Sequence, residues 1–215
     1  MLMFCTFSAM LSAQPGFNNH YDFGFPRNQF RNLLVHQDTI IGYGIARVDT
    51  PPYQQCLFLA RFDSSGVPID SRLICDSLGG AFSADIPWSD IITTSDGGYG
   101  LTAFSIGRYD GMFVKLKSDL TVEFIKEYPD SMNLVEIYNS IVELPDGYLL
   151  GGYLQRPNYL LDAFLRRVDK QGNSIWFSYF GDYGEIDLFT NYRRLNDSVV
   201  AYVGGYVENQ NSLSG

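Results

Sequence analysis

The sequence is poor in the residues that most enzymes use for catalysis. It has two histidines and three cysteines among 215 residues. These are too few and too scattered for a serine–histidine–aspartate set, a cysteine–histidine pair or a zinc site. No glycine-rich loop matches a phosphate-binding pattern. No DxDxDG array offers the roughly six or more oxygens that calcium needs. The sequence therefore predicts neither a metal site nor a bound cofactor.

Positive charge is also scarce. The sequence has 15 Lys and Arg against 24 Asp and Glu, which gives a formal net charge of −9. A nucleic-acid partner is not expected, because binding a phosphate backbone needs clustered basic residues. After the first dozen positions the chain has no apolar run of about 18 residues, so no transmembrane helix is expected.

What the chain does contain is typical of β structure. Aromatic residues make up 15% of the sequence and 21 residues are glycine. Aromatic and β-branched residues favour strands, and glycine favours the turns between them. The composition therefore predicts an all-β fold.

The N-terminal segment MLMFCTFSAMLSAQ has the apolar, small-residue character of a secretory signal. We interpret residues 1–13 as a truncated signal peptide, cleaved after Ala13, although the usual positively charged start is missing. An apolar N-terminal strand is the alternative. The signal interpretation predicts an exported protein, secreted or held at the cell surface, whose folded part spans residues 17–215.

Export would place Cys56 and Cys75 in a compartment that permits disulfides. The two cysteines flank the turn DSSG at residues 63–66, whose Asp and Gly are typical of a type I turn. Counting outward along this hairpin brings them nearly opposite each other. A cross-strand disulfide and two buried free thiols both remain open.

One short pattern recurs along the chain. Turn aspartates at positions 38, 96, 146 and 197 are separated by 58, 50 and 51 residues. Each of the first three is followed by a segment that alternates apolar and polar residues with period two, as half-buried strands do. Four antiparallel strands repeated at this spacing indicate the blades of a β-propeller.

The pattern places the blades at about residues 30–76, 82–130, 137–181 and, incomplete, 190–215. Strands are predicted at residues 88–94, 99–105, 111–117 and 121–128 in the second unit, 138–144, 148–154, 162–168 and 174–179 in the third, and 190–195 and 199–206 in the fourth. The segment HYDFG at 20–24 is similar to SYFG at 178–181, and we interpret it as a closing N-terminal strand. The prediction is a partial propeller, an N-terminal fragment of a longer ring.

The turn DGGY at 96–99 and the segment FLRRVDKQGNSIW at 164–176 resemble the repeats of secreted bacterial β-propellers. That resemblance implies export, often with sorting by type IX secretion. The Gly-Gly pairs at 151–152 and 204–205, followed in the third unit by Trp176, give a weaker likeness to kelch repeats. The first two units lack this Trp, and the first turn lacks glycine.

The blade topology separates a turn face from a loop face. The Asp and Gly of the short turns have a sufficient structural role there. The longer loops between second and third strands each hold one Arg and one Tyr, and Trp88 lies in a blade connection. An aromatic ring beside a guanidinium suits a sugar ring or a peptide. The predicted ligand-binding residues are Arg47, Tyr53, Trp88, Arg108, Tyr109, Arg156 and Tyr159. The alternative is that each Arg pairs with an acid such as Asp110 or Asp162 and each Tyr packs on the next blade.

Several carboxylates lie in the blade connections of the same face: Asp85, Asp90, Glu136, Asp182, Glu185 and Asp187. A suitably spaced pair of them would serve glycoside hydrolysis, and Asp182 and Glu185 are weak catalytic candidates. The favoured hypothesis is a non-enzymatic propeller that binds a protein, peptide or glycan through its loop face. A carbohydrate-active hydrolase or lyase and a structural spacer in a large surface protein are the alternatives.

Overall fold

The chain folds into antiparallel sheets that follow one another in sequence order, as expected for an all-β protein. The computed structural model describes residues 20–51, 53–84, 89–129, 135–155, 161–181, 186–194 and 200–207, the last two ranges as backbone only. No helix occurs in these ranges, and hence none that is long and apolar enough to span a membrane. The predicted signal peptide at residues 1–13 lies outside them.

Within the described ranges, fifteen strands form three complete units and one further strand pair. Blade 1 comprises β1 (Arg27–His36), β2 (Thr39–Arg47), β3 (Gln55–Asp63) and β4 (Pro68–Ile74); blade 2 comprises β5 (Phe82–Ser83), β6 (Ile91–Thr93), β7 (Tyr99–Ser105), β8 (Asp110–Leu116) and β9 (Val122–Tyr128); blade 3 comprises β10 (Val135–Leu144), β11 (Gly147–Gln155), β12 (Leu161–Asp169) and β13 (Ser174–Phe180); β14 (Ile186–Arg194) pairs with β15 (Val200–Val207). The prediction of propeller-like, four-stranded antiparallel units is confirmed. The ring is not closed.

Blade 2 differs from the prediction at its first strand. The sequence predicted one strand at residues 88–94, whereas the structure has two short strands, β5 and β6, that both pair with β7. The corresponding strands of the other units are continuous and each carries a β-bulge, between Phe30 and Asn32 in blade 1 and between Tyr138 and Ser140 in blade 3. The first strand of blade 2 is therefore divided at the position where the first strands of blades 1 and 3 carry a β-bulge.

Neighbouring blades pack through continuous apolar cores. Tyr43 and Leu59 of blade 1 pack in one cluster with Leu101 and Val114 of blade 2, and a second cluster joins blade 2 to blade 3. The backbone of Gly111 sits against the ring of Tyr138, so that a Cβ there would lie 1.9 Å from its Cε2. Close packing of this kind fixes how the units sit on each other.

The hairpins between third and fourth strands share one turn geometry, with a residue of positive φ at the same place. Gly66 has φ 82° and Gly172 has φ 76°, while blade 2 has Leu120 there with φ 63°. The substitution of leucine for glycine has a compensation, because the Leu120 side chain is buried in the core between blades 1 and 2. Burial of the side chain thus balances the strained backbone.

Residues 20–24 were predicted as a closing strand, but residues 20–25 form no strand in the structure. They lie on the outer face of blade 1, where Phe23 and Phe25 stack edge-on against Phe58. The hydroxyl of Tyr21 donates to the carbonyl of Gly66. The segment is therefore packed on the first blade through aromatic contacts, and its role in ring closure remains a prediction.

Candidate ligand-binding site

The loop face carries a cavity of about 270 Å³ where blade 1 meets blade 2. Its wall is formed by the start of β1, the end of β2, the β2–β3 loop, the connection between the blades and the β7–β8 loop. The lining residues are Arg27, Arg47, Tyr53, Gln54, Gln55, Gly79, Ala81 and Ile106. Two of the predicted ligand-binding residues, Arg47 and Tyr53, therefore lie together in one concave site.

Strand register brings the two arginines of the cavity side by side. Arg27 is the register partner of Arg47 across β1 and β2, and Arg47 is that of Gln55 across β2 and β3. Both arginines are exposed. Among the described residues neither arginine forms an ion pair. Like charges directly opposite each other destabilise a strand pair, so this arrangement is unfavourable without an anion. Two neighbouring guanidiniums are thus left free to hold an anion.

Tyr53 reaches the cavity from a strained backbone. Its φ is 50°, in the left-handed region that costs about 1–2 kcal/mol for a residue with a side chain. The conformation is held because Tyr53 N donates to Thr50 O at 2.9 Å and Val48 N donates to Gln54 O at 3.0 Å. The side chain is 63% exposed. Strain that presents an exposed aromatic ring at a cavity is the kind found at binding sites.

The side-chain oxygen of Gln54 is a hydrogen-bond acceptor for which the described residues offer no donor. The residue is only 8% exposed. Its Nε2 donates to the carbonyl of Asp76 at 3.3 Å and lies 3.7 Å from Sγ of Cys56. Its Oε1 is buried and has no hydrogen-bond partner in the described part of the chain. A buried acceptor of this kind is unfavourable by about 1–3 kcal/mol unless it is satisfied.

A disulfide and an ion-pair network hold the far wall. Cys56 is bonded to Cys75, which links the start of β3 to the connection that carries Gly79 and Ala81. The next residue, Asp76, accepts from Leu78 N at 2.9 Å and from Arg108 Nη1 at 2.8 Å. The Leu78 amide, and then the Arg108 guanidinium, hold the pKa of the Asp76 carboxyl below its ordinary value despite burial. This wall is well fixed before any ligand arrives.

Arg108 and Tyr109, predicted as a second ligand-binding pair, lie in the β7–β8 loop. The Arg108 guanidinium forms two hydrogen bonds of 2.6 Å to Glu127 as well as its bond to Asp76, and these partners raise its pKa. Arg108 is therefore paired with acids, as the alternative to ligand binding had it, but with Asp76 and Glu127 and not with Asp110. Tyr109 has φ 61° and is exposed, but it does not line the cavity.

The remaining predicted binding residues, Trp88, Arg156 and Tyr159, lie outside the described residues, as do the catalytic candidates Asp182 and Glu185. Of the other connection acids, Asp90 accepts from Ile91 N at 2.9 Å and from Ile141 N of the next blade at 3.4 Å. It ties the backbone of two blades together.

Glu136 is buried in a network between blades 2 and 3. Arg166 Nη2 lies 2.9 and 3.0 Å from its two carboxylate oxygens, and Tyr138 donates to it at 2.6 Å. The Arg166 guanidinium also lies 4.8 Å from the centre of the Tyr128 ring, a cation–π distance. Burial, and then the charge of Glu136, raises the pKa of Tyr138. This carboxylate has a structural role.

The turn aspartates also serve the scaffold. Asp63 Oδ1 accepts from the amides of Ser65 and Val67, both at 2.9 Å. Asp96 and Asp146 each bind a cation from the third strand of their blade, Lys115 and Arg167. Lys115 and Arg167 hold equivalent positions in the repeat. The recurrence of a basic residue at this position could have indicated that it pairs with the turn aspartate. Within the described ranges no cluster of three or more His, Cys, Asp or Glu could hold a metal.

Sequence reasoning missed most of the cavity wall. Arg27 could have been found by pairing the predicted strands, since it faces Arg47 in register. Gln54 and Ile106 carry no comparable signal, because blade packing brings them together. No protein-family model matches this chain, and no curated protein is similar to it.

Proposed function

We propose that this chain is a non-enzymatic, exported binding module that holds a protein, peptide or glycan ligand on its loop face. The observation that carries the proposal is the cavity between blades 1 and 2, lined by the exposed residue Tyr53 and by Arg27 and Arg47, which form no ion pair with any described residue. Concave sites with a few converging polar groups are where small ligands and chain ends bind.

The composition of the wall favours binding over catalysis. Its described residues are arginine, tyrosine, glutamine, glycine, alanine and isoleucine. They include no carboxylate, histidine or thiol to act as a general acid, base or nucleophile. Such a wall positions a ligand without transforming it. The Cys56–Cys75 disulfide supports export, because disulfides persist in oxidising compartments.

A mixed array of glycans and peptides, probed with the labelled chain, tests this function. We expect a set of bound ligands whose signal is lost in the double variant Arg47→Gln, Tyr53→Ala. Arg72→Gln is the matched control, because Arg72 is exposed on β4 of the same blade and away from the cavity. An array with no bound ligand, or ligands that the double variant binds as well as the wild type, would contradict the proposal.

A further inference from the structure

Building on the proposed function, we infer that the cavity recognises an acidic sugar, a single uronate residue at the end of a glycan. Four requirements of the wall lead to this ligand class: a negative charge, a hydrogen-bond donor, an apolar ring face and a limited size.

The charge follows from the two free arginines. Four other arginines of the described chain are engaged by acids: Arg61 by Asp70, Arg108 by Asp76 and Glu127, Arg166 by Glu136 and Arg167 by Asp146. Arg72, exposed on β4 and away from the cavity, has no ion pair in the described part of the chain. Arg27 and Arg47 have no such partner among the described residues, although the chain carries a net charge of −9. A carboxylate bound between them forms charge-assisted hydrogen bonds, the strongest that side chains offer.

The donor follows from Gln54. Its buried Oε1 accepts from no described residue, and a carboxylate has no proton to give it at neutral pH. Because Gln54 lines the cavity, a ligand with hydroxyl or N–H groups next to its charge suits this wall. Free sulfate and simple carboxylic acids do not meet this requirement, whereas the ring hydroxyls of a uronate do.

The ring face and the size follow from the rest of the wall. Tyr53 and Ile106, which are 63% and 40% exposed, present aromatic and apolar surface to the cavity. The carbon face of a sugar ring packs on such a surface. The volume of about 270 Å³ is just below the range of roughly 300–1,000 Å³ for drug-sized ligands, and so it suits one ring. An extended polyuronate is disfavoured by the acidic surroundings.

Calorimetry on the full chain with three probes tests the inference. The probes are methyl glucuronide, the neutral methyl glucoside, and N-acetyl-dialanine, which offers a peptide carboxylate with an N–H beside it. We expect methyl glucuronide to bind at least about tenfold more tightly than the other two. Its affinity should fall as salt rises from about 50 to about 500 mM, because ion pairs at an open cavity are screened.

Two variants sharpen the test. Arg27→Gln and Arg47→Gln, both at exposed positions, should each remove most of the preference for the glucuronide over the glucoside, while Arg72→Gln should leave it intact. Equal binding of the two sugars, with no effect of Arg47→Gln, would overturn the acidic-sugar inference and leave the binding function standing. Preferential binding of N-acetyl-dialanine would do the same in favour of a peptide end.

If none of the three probes binds, the acidic-sugar inference is also wrong. The array experiment then decides separately whether the loop face binds another ligand. A ligand found on the array that depends on Arg47 and Tyr53 would keep the proposed function, and its absence would end both proposals.

Discussion

The hydroxyl of Tyr128 donates a hydrogen bond of 2.8 Å to the carbonyl oxygen of Gly172, joining the last strand of blade 2 to the β12–β13 turn of blade 3. Tyr21 makes the same bond to Gly66 in the corresponding turn of blade 1. Residues 20–25 therefore contact blade 1 as the outer strand of a preceding blade would. This equivalence supports the predicted role of the segment in ring closure.

Removing the Tyr128 hydroxyl should weaken the contact between blades 2 and 3. Tyr128→Phe leaves the buried carbonyl of Gly172 without this donor, and we expect a loss of about 1–3 kcal/mol in the free energy of unfolding. Urea denaturation measures it. Tyr109→Phe is the control, since the Tyr109 side chain is exposed, and it should change stability by less than about 0.5 kcal/mol. Equal effects of the two substitutions would contradict the prediction.

Leu120 tests whether burial balances a strained backbone. Glycine at this position would relieve about 1–2 kcal/mol of left-handed strain but would remove a core side chain that contributes about 2–5 kcal/mol. We expect Leu120→Gly to lower the free energy of unfolding by up to about 4 kcal/mol, the difference of these two effects. Gln37→Gly is the counterpart, because Gln37 has φ 54° and an exposed side chain. It should stay within about 1 kcal/mol of wild type. A stabilised Leu120→Gly would show that strain outweighs packing here.

The Asp96–Lys115 pair should make stability depend on pH. Burial works against the charge of Asp96, but hydrogen bonds from Lys115, Thr94 and Gly98 outweigh it and hold its pKa below the ordinary value. Because the folded-state pKa is lowered, the stabilisation is present above the unfolded pKa, about 3.9, and is lost as the pH falls through the folded value.

Urea midpoints of the wild type and of Asp96→Asn, measured between pH 7 and about pH 2, check this sign. The wild type should be more stable at neutral pH, and the difference should shrink below about pH 4. Asp38→Asn, at the matching turn of blade 1, removes a carboxylate that has no cation partner among the described residues and should change the midpoint little. A difference that grows on acidification would refute the assignment.

The Cys56–Cys75 disulfide should support both stability and binding. It closes a loop with a sequence separation of 19 residues, for which the loss of chain entropy predicts about 3 kcal/mol. The double variant Cys56→Ser, Cys75→Ser should lose about that much in urea denaturation. Its affinity for methyl glucuronide should fall as well, because the bond connects the two walls that carry Gln54 and Gly79. Unchanged affinity in the folded variant would show that the cavity does not depend on this link.

Local patterns in the sequence were enough to predict most of the strands and most of the turns. Period-two alternation and the Asp–Gly turns are patterns of a few consecutive residues, so they can be recognised in the sequence without knowledge of the fold. The division of β5 from β6 and the burial of Leu120 depend on contacts with another blade, and the sequence did not show them. The same contrast holds at the cavity: Arg47 and Tyr53 share a loop, whereas Ile106 reaches the site from blade 2.

The cavity is lined by residues of both blade 1 and blade 2, so ligand binding is coupled to the packing of these two blades. A ligand that touches both Arg47 and Ile106 binds only when blades 1 and 2 are docked, so by mass action it strengthens that docking. Blades 2 and 3 are joined by contacts of their own, such as the Tyr128–Gly172 hydrogen bond, and the ligand does not strengthen them directly. In a repeat array each unit is stabilised only by the units beside it. Ligand binding would therefore stabilise the contact between blades 1 and 2 and leave the contact between blades 2 and 3 unchanged.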